Sequence, residues 1–186
     1  KQKKYWQHCQ LVGLSMHIGS QLVDLSATKL ALKRLCQAAL ACKRPLQFLD
    51  VGGGMAVDYS PDLRFKISSP LQYMEMISKV LNSNLFPFLP GKQPLPSILF
   101  EPGRFIVARA GALITKVVRN KASEGHHFMI VDAGMNDFMR PSLYDAYHET
   151  YPEKLSRAKK RATDVVGPIC ETADCLAKKR MLPAMK

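Results

Sequence analysis

The sequence predicts an α/β arrangement that gives way to β structure. Residues 1–108 read as strand–helix units from one arc of a parallel (β/α) barrel, and residues 109–186 as a β domain. Three observations lead there. Apolar runs at Leu11, Leu46 and Ile98 each end in polar or glycine residues. A segment of helical periodicity separates each run from the next. Beyond Ala108 the β-rich stretches Ala112 to Arg119, His127 to Val131 and Thr163 to Ile169 follow one another with no convincing amphipathic helix between them.

The first unit begins with Leu11-Val-Gly-Leu-Ser-Met, a short strand that runs into His17-Ile-Gly-Ser20-Gln21. Ser26 is placed to cap the helix that follows, whose apolar positions Leu32, Leu35, Cys36, Ala39 and Leu40 recur at helical spacing. The second strand, Leu46 to Val51, leads directly into Gly52-Gly53-Gly54. A second helix is expected over Pro70 to Leu81. Ser69 and Gln72 stand at capping-box spacing, Pro70 takes the first helical position, and Tyr73, Met74, Ile77 and Leu81 share one face. A proline-rich connection, Phe86 to Pro96, brings the chain to a third strand, expected to be buried, which breaks at Glu101-Pro-Gly103-Arg104 before a further apolar run. Polar groups gathered at the C-terminal ends of parallel strands mark the face of such a barrel that binds ligands. These units do not close an eight-stranded barrel. Either the sheet is open or its other strands lie outside this sequence.

The bulk numbers narrow the classes. With 186 residues, 47% of them hydrophobic, the chain can bury a core as one domain or as two small units. The net charge of +12 is concentrated in the runs Lys1 to Lys4, Arg157 to Arg161 and Lys178 to Arg180, without interleaved aromatics, so no nucleic-acid partner is expected. Five cysteines without a Cys-x-x-Cys pair argue against a disulfide framework and a zinc ribbon, so no metal site is expected and the compartment is taken as reducing. No apolar run approaches the roughly 20 residues of a membrane span, and the start of the chain shows no signal-peptide core. No membrane partner is expected. The missing initiator methionine points to a start inside a larger protein.

Each candidate site motif has two readings. Glu101 and Arg104 can pair as a turn-stabilising ion pair, or present a carboxylate to a basic heterocycle with the Gly103 amide and a guanidinium for an anion. The three glycines can be a tight turn or an anion cradle of backbone N–H groups. Val57 stands where a dinucleotide fingerprint would need glycine. His17 can be satisfied by a core carbonyl, or stack on a flat ring while Ser20 donates to a phosphate. Asp132 to Tyr144 can be a polar turn, or Arg140 and Tyr144, four apart, can grip a carboxylate. Cys170-Glu171 can be an ordinary surface pair on a loop of the β domain.

Taken together, His17-Ile-Gly-Ser-Gln21, Asp50-Val-Gly-Gly-Gly54, Glu101-Pro-Gly-Arg104, Val131-Asp-Ala-Gly-Met-Asn-Asp137 with Arg140-Pro-Ser-Leu-Tyr-Asp-Ala-Tyr-His-Glu149, and Val166-Gly-Pro-Ile-Cys-Glu171 closely resemble the diaminopimelate decarboxylases. These are fold-type III pyridoxal-phosphate enzymes of lysine biosynthesis. The resemblance runs in order from about Leu11 to the C-terminus. It implies the last three βα units of a (β/α)8 TIM-like barrel over residues 1–108, followed over 109–186 by part of a β-sandwich or β-barrel domain.

The resemblance also implies roles. His17 stacks on the pyridoxal 5'-phosphate ring, and Ser20 lies near its phosphate. Gly52, Gly53, Gly54 and Gly103 supply phosphate-binding amides, Arg104 completes the cofactor site, and Glu101 pairs with the pyridine nitrogen. Loss of carbon dioxide leaves electrons that the ring accepts only while that nitrogen stays protonated, a state an adjacent carboxylate favours. Arg104, Arg140 and Tyr144 grip the amino-acid substrate, and Asp132 faces the site. Cys170, with His17, is assigned to catalysis. Cys170 and Glu171 reach into a neighbouring subunit's site, with Glu171 reading the distal ammonium group, so the functional unit is a homodimer with shared active sites.

Localisation is expected to be cytoplasmic, or plastid in a plant. The family's Schiff-base lysine and a late aromatic motif have no counterpart here, so the chain is expected to be inactive alone. The rival expectations are a decarboxylase for ornithine, arginine or carboxynorspermidine, and a non-catalytic regulatory homologue.

Overall fold

A computed structural model describes residues 8–59, 66–91, 93–154 and 156–184. The basic run Lys1 to Lys4 lies outside the described residues. The chain divides into two compact units, residues 1–58 with 65–110, and residues 59–64 with 111–186.

The first unit is a parallel sheet of β1 (Gly13–Ser15), β2 (Phe48–Asp50) and β3 (Ser97–Leu99), in that order, with helices between successive strands. Helix α1 (Leu25–Ala41) buries Leu32, Leu35, Cys36 and Ala39, the stripe predicted from spacing, with Leu40 partly buried against the same core. Its cap is not Ser26. Asp24 takes the N-cap position and accepts from the Ser26 N–H at 2.9 Å, while the Ser26 hydroxyl bonds the same carboxylate. Two residues of one side chain's reach separate the candidates, and the carboxylate, with two acceptor oxygens, takes the amide and the hydroxyl together.

Helix α2 (Pro70–Asn84) has the predicted capping box, Gln72 N–H to Ser69 Oγ at 3.2 Å and Ser69 N–H to Gln72 Oε1 at 3.0 Å. It runs three residues beyond Leu81, ending where Leu85 and a 3₁₀ turn at Phe86–Phe88 begin. Tyr73, Ile77, Val80 and Leu81 form its buried face. Met74 is 46% exposed, because Val80 and not Met74 completes the stripe that meets the core. Tyr73 packs edge-on against Phe100, and burial pushes its phenol pKa up.

One expectation about the third strand fails. Leu99 is 44% exposed, since β3 has a strand neighbour on only one side among the described residues. The apolar run after Arg104 is not part of the sheet. It forms a short helix α3 (Gly103–Val107) with Ile106 and Val107 mostly exposed.

In the second unit β4 (Val117–Ser123) and β5 (His126–Val131) make a hairpin over Glu124-Gly125, both at positive φ as a two-residue primed turn requires. β6 (Lys160–Val166) pairs parallel with β5, and β7 (Cys175–Pro183) pairs antiparallel with β6. The strand expected at Ala112 starts only at Val117, and the one expected to reach Ile169 stops at Val166. β7 was not anticipated, because Lys178, Lys179 and Arg180 interrupt its apolar pattern and Lys179 adopts φ +51° at an irregularity in the ladder. A five-residue helix α4 (Arg140–Tyr144) also stands where only loop was expected. Met129, Val131, Val165, Leu176 and Leu182 form this unit's core.

Candidate functional site

In the first unit, the C-terminal ends of β1, β2 and β3 bring His17, the three glycines and Glu101 to one edge of the sheet. The ladder continues past the strands: Met16 N–H bonds Asp50 O, Val51 N–H bonds Leu99 O, and Glu101 N–H bonds Gly52 O, at 3.0, 3.0 and 2.9 Å. The glycines lie in the narrowest part of this convergence. A Cβ on Gly52 would approach Met16 O, one on Gly53 would approach Glu101 O, and one on Gly54 would approach Gly19 O, each closer than the 3.0 Å that real Cβ atoms keep. Gly52 and Gly54 also sit at φ +71° and +96°. The triple glycine is therefore demanded by backbone crossing at the strand ends.

The amides of these glycines are not uniformly available to a ligand. Gly52 N–H donates to Asp50 Oδ1 at 2.8 Å, Gly53 N–H points to His17 Nδ1 at 3.4 Å, and Gly103 N–H closes a turn on Glu101 O at 2.9 Å. Gly54 N–H has no partner among the described residues. Asp50 links two strand ends, since its Oδ2 accepts from Ser15 Oγ at 3.2 Å. The Glu101–Arg104 ion pair is absent. Glu101 is exposed, Arg104 is half-buried, and no bridge joins them.

Gln21, a polar strand end and the last residue of the His17–Gln21 motif, has a structural role. Its side-chain amide donates to Val57 O at 2.9 Å and accepts from Val57 N–H at 2.8 Å, pinning the far side of the glycine loop to the loop after β1. Leu22 N–H adds a bond to Gly54 O at 2.8 Å. Exposed Ser20 lies between Gly19, whose carbonyl abuts Gly54, and this clamp.

In the second unit Asp132 is exposed, and its Oδ1 accepts from Thr115 Oγ1 at 2.6 Å and Lys116 N–H at 2.8 Å. The Thr115 hydroxyl and then the Lys116 amide hold its pKa below the ordinary carboxylate value. Asp132 thus fastens the segment leading into β4. Arg140 and Tyr144 do come together, the guanidinium 5.7 Å from the Tyr144 ring and 5.6 Å from that of Tyr59. Beside them His148 packs edge-on against Tyr59 and Phe138, its carbonyl accepting from Arg180 at 3.2 Å. Burial, then the charges of Arg140 and Arg180, lower the His148 pKa. Arg140 Nε, Arg180 Nε and His148 Nε2 are buried without a hydrogen-bond partner among the described residues.

Cys170 and Glu171 are exposed on the turn between β6 and β7, and Cys170 is a free thiol. Glu171 folds back on its own turn, accepting from Thr172 Oγ1 at 3.0 Å and Ala173 N–H at 3.3 Å. The Ala173 amide and then the Thr172 hydroxyl depress its pKa. Sequence reasoning missed Asp174, whose buried carboxylate touches both loops of this region. Asp50, directly before the glycines, was legible as an Asx-type turn residue.

Residues 22–186 match the family described as pyridoxal-dependent decarboxylase, C-terminal sheet domain. The chain belongs to the pyridoxal-dependent decarboxylases. Among its relatives in this family, the diaminopimelate decarboxylase of Aquifex aeolicus is 37% identical over 174 residues, covering 92% of this chain and 39% of the relative. That of Pseudomonas aeruginosa is 40% identical over 180 residues, covering 94% and 40%. The crystal structure of the Helicobacter pylori diaminopimelate decarboxylase complexed with L-lysine superposes with a TM-score of 0.78 at 38% identity, covering 94% of this chain and 41% of that one. The chain thus spans about two fifths of the length of these decarboxylases. As a pyridoxal-dependent decarboxylase it has pyridoxal phosphate as its cofactor. The donor set fits: the imidazole of exposed His17 and the backbone of exposed Glu101 flank Gly53, and the Gly54 amide, without a partner among the described residues, adjoins the loop of Ser20. Among the described residues, no helix is long and apolar enough to cross a membrane.

Proposed function

We propose that these residues serve the decarboxylation of meso-diaminopimelate to L-lysine and carbon dioxide. The observation that carries the reading is the arrangement around Gly53 and Gly54. Gly53 lies between the His17 ring nitrogen and the Glu101 backbone, so one end of the loop carries the residues that bring an imidazole and a carboxylate. Gly54 and Ser20 form an anion-seeking end at the other. A pyridine ring with a phosphate tail has the same two ends.

Bound pyridoxal phosphate supplies an electron sink for the carbon that loses its carboxylate. His17 covers a ring face, and Glu101 holds a proton at the ring nitrogen. Ser20, the Gly54 amide and Arg104 hold the phosphate. The amides of Gly52, Gly53 and Gly103, engaged within the chain, shape the cradle and do not bind in it. Arg104, Arg140 and Tyr144 bind the substrate, the arginines through its carboxylates. Asp132 takes the supporting role of fastening the chain before β4. Glu171 reads the substrate's distal ammonium. The exposed thiol of Cys170 carries an exchangeable proton, which suits a reaction that puts a proton where carbon dioxide left.

On this reading residues 1–108 are the last three βα units of the cofactor-binding barrel and 109–186 part of the β domain. The enzyme works as a cytoplasmic homodimer, with Cys170 and Glu171 given to the partner's site. The test is carbon dioxide release by the cofactor-loaded enzyme that carries this sequence and a tethering lysine, across meso-diaminopimelate, ornithine, arginine and carboxynorspermidine. Selective turnover of meso-diaminopimelate is expected. Selective turnover of another amino acid moves the chain to that specificity, and a loaded cofactor with no turnover of any supports a regulatory homologue.

A further inference from the structure

Asp174 is 3% exposed, and each of its carboxylate oxygens is taken by a different loop. Oδ1 accepts from Met135 N–H at 2.6 Å, and Oδ2 accepts from Ile169 N–H at 2.8 Å. Its own backbone closes the turn: Asp174 N–H donates to Glu171 O at 3.0 Å, and Gly167 N–H donates to Asp174 O at 3.1 Å. No Lys, Arg or His among the described residues forms an ion pair with it. A buried carboxylate without a counter-ion is costly, and here backbone N–H groups alone offset the cost.

The surrounding sequence is fitted to this carboxylate. A Cβ on Gly167 would come closer than 3.0 Å to both oxygens, and one on Gly134 would lie 3.2 Å from Oδ1 and 3.0 Å from Ile169 Cδ1. Two glycines thus leave room for one acid between two loops. One loop leads from Gly167 through Ile169 to Cys170 and Glu171, and the other runs from Gly134 through Met135 to Asp137. Asp174 N–H also fixes the Glu171 carbonyl, so the acid controls the turn at both ends.

We infer that Asp174 is a positioning residue that acts through the Cys170–Glu171 turn, locking it to the Gly134–Met135 loop so that the Glu171 carboxylate and Cys170 thiol are held for reaction. The inference deepens the proposed function and rests on its assignment of Glu171 and Cys170. An asparagine at this position presents one oxygen and one NH₂, so one of the two loop amides faces a donor and is released. Loss of one such bond corresponds to roughly a tenfold change in the local opening equilibrium.

The test uses the cofactor-loaded enzyme with Asp174→Asn, Gly167→Ala, Glu171→Gln and the Asp174→Asn/Glu171→Gln double variant. Amide exchange protection at Met135 or Ile169 is expected to fall roughly tenfold in Asp174→Asn, while amides of β5 to β7 keep theirs. Gly167→Ala, which presses on the same carboxylate, is expected to loosen the same turn and carries the exchange test if Asp174→Asn does not fold. In turnover, the double variant is expected to lose less than the product of the two single losses, because the part of the Asp174 effect that passes through Glu171 is already gone. Unchanged protection at both amides, protection lost equally through the sheet, or losses that multiply in the double variant would overturn the inference. If Glu171→Gln turns over as the wild type does, the assignment of Glu171 fails and not the anchor. The alkylation rate of Cys170 then decides: a rate altered by Asp174→Asn upholds the inference, and an unaltered one overturns it.

Discussion

Gly53 and Glu101 lie on neighbouring strand ends so close that a single added carbon on Gly53 would fall within 3.0 Å of the Glu101 carbonyl oxygen. On its other side, the Gly53 amide faces His17 Nδ1 at 3.4 Å. One glycine therefore sets the spacing between the two groups that the proposed cofactor ring must meet.

Gly53→Ala tests this spacing. The new methyl meets backbone, which cannot rotate away as a side chain can, so the substitution is expected to cost about 1–3 kcal/mol or more. Urea unfolding of the variant would measure the loss. Cofactor binding is expected to weaken with it, read as reduced retention of the pyridoxal chromophore on gel filtration.

Gln21 and Val57 give a second prediction. Gln21→Ala leaves the N–H and carbonyl of buried Val57 without their partners, an expected loss of about 1–3 kcal/mol. Gln21→Glu restores an acceptor for the N–H but sets an oxygen against the Val57 carbonyl, and is expected not to rescue stability. Thermal melts of the two variants beside wild type decide the point.

At Glu101, replacement by glutamine keeps shape and removes charge. The side chain is exposed, so stability is expected to change little. Turnover of the loaded enzyme is expected to drop on the order of a hundredfold or more, because a neutral amide no longer favours a protonated ring nitrogen. Equal turnover of the variant and the wild type would remove Glu101 from the proposed ring contact.

His148 makes stability depend on pH. Burial and the neighbouring arginines lower its folded pKa below the ordinary 6.5. As pH falls below 6.5, the unfolded chain takes up a proton that the folded chain refuses, so stability declines until the lowered folded pKa is reached. The lowered carboxylates Asp132 and Glu171 behave otherwise. Their contribution is present above the ordinary values of 3.8 and 4.5 and is lost only as pH falls through their depressed folded pKa values. Between pH 7.5 and about 5.5 the urea midpoint is therefore expected to fall in wild type and to stay flatter in His148→Gln.

The sequence by itself determined the features that repeat or act over a few residues. The stripe from Leu32 to Ala39, the Ser69–Gln72 capping box, the strand ends at His17, Gly52 and Glu101, and five motifs of one family were all legible, because helical period, cap spacing and strand polarity are local properties. Even locally, the choice between Asp24 and Ser26 as cap was missed, since spacing alone does not rank competing acceptors.

Only the tertiary structure decided which groups are spent on holding the chain together. Gln21 meets Val57 across 36 residues and Asp174 meets Met135 across 39. Neither pairing leaves a periodic trace in the sequence. It likewise showed that three of the four glycine amides first read as phosphate ligands are already bonded within the chain, and that Asp132 is tied to Thr115 and Lys116. The physical reason is that a hydrogen-bond donor has no fixed role until folding brings an acceptor to it. Residue type tells what a group can bind, and convergence of distant segments tells what it does bind.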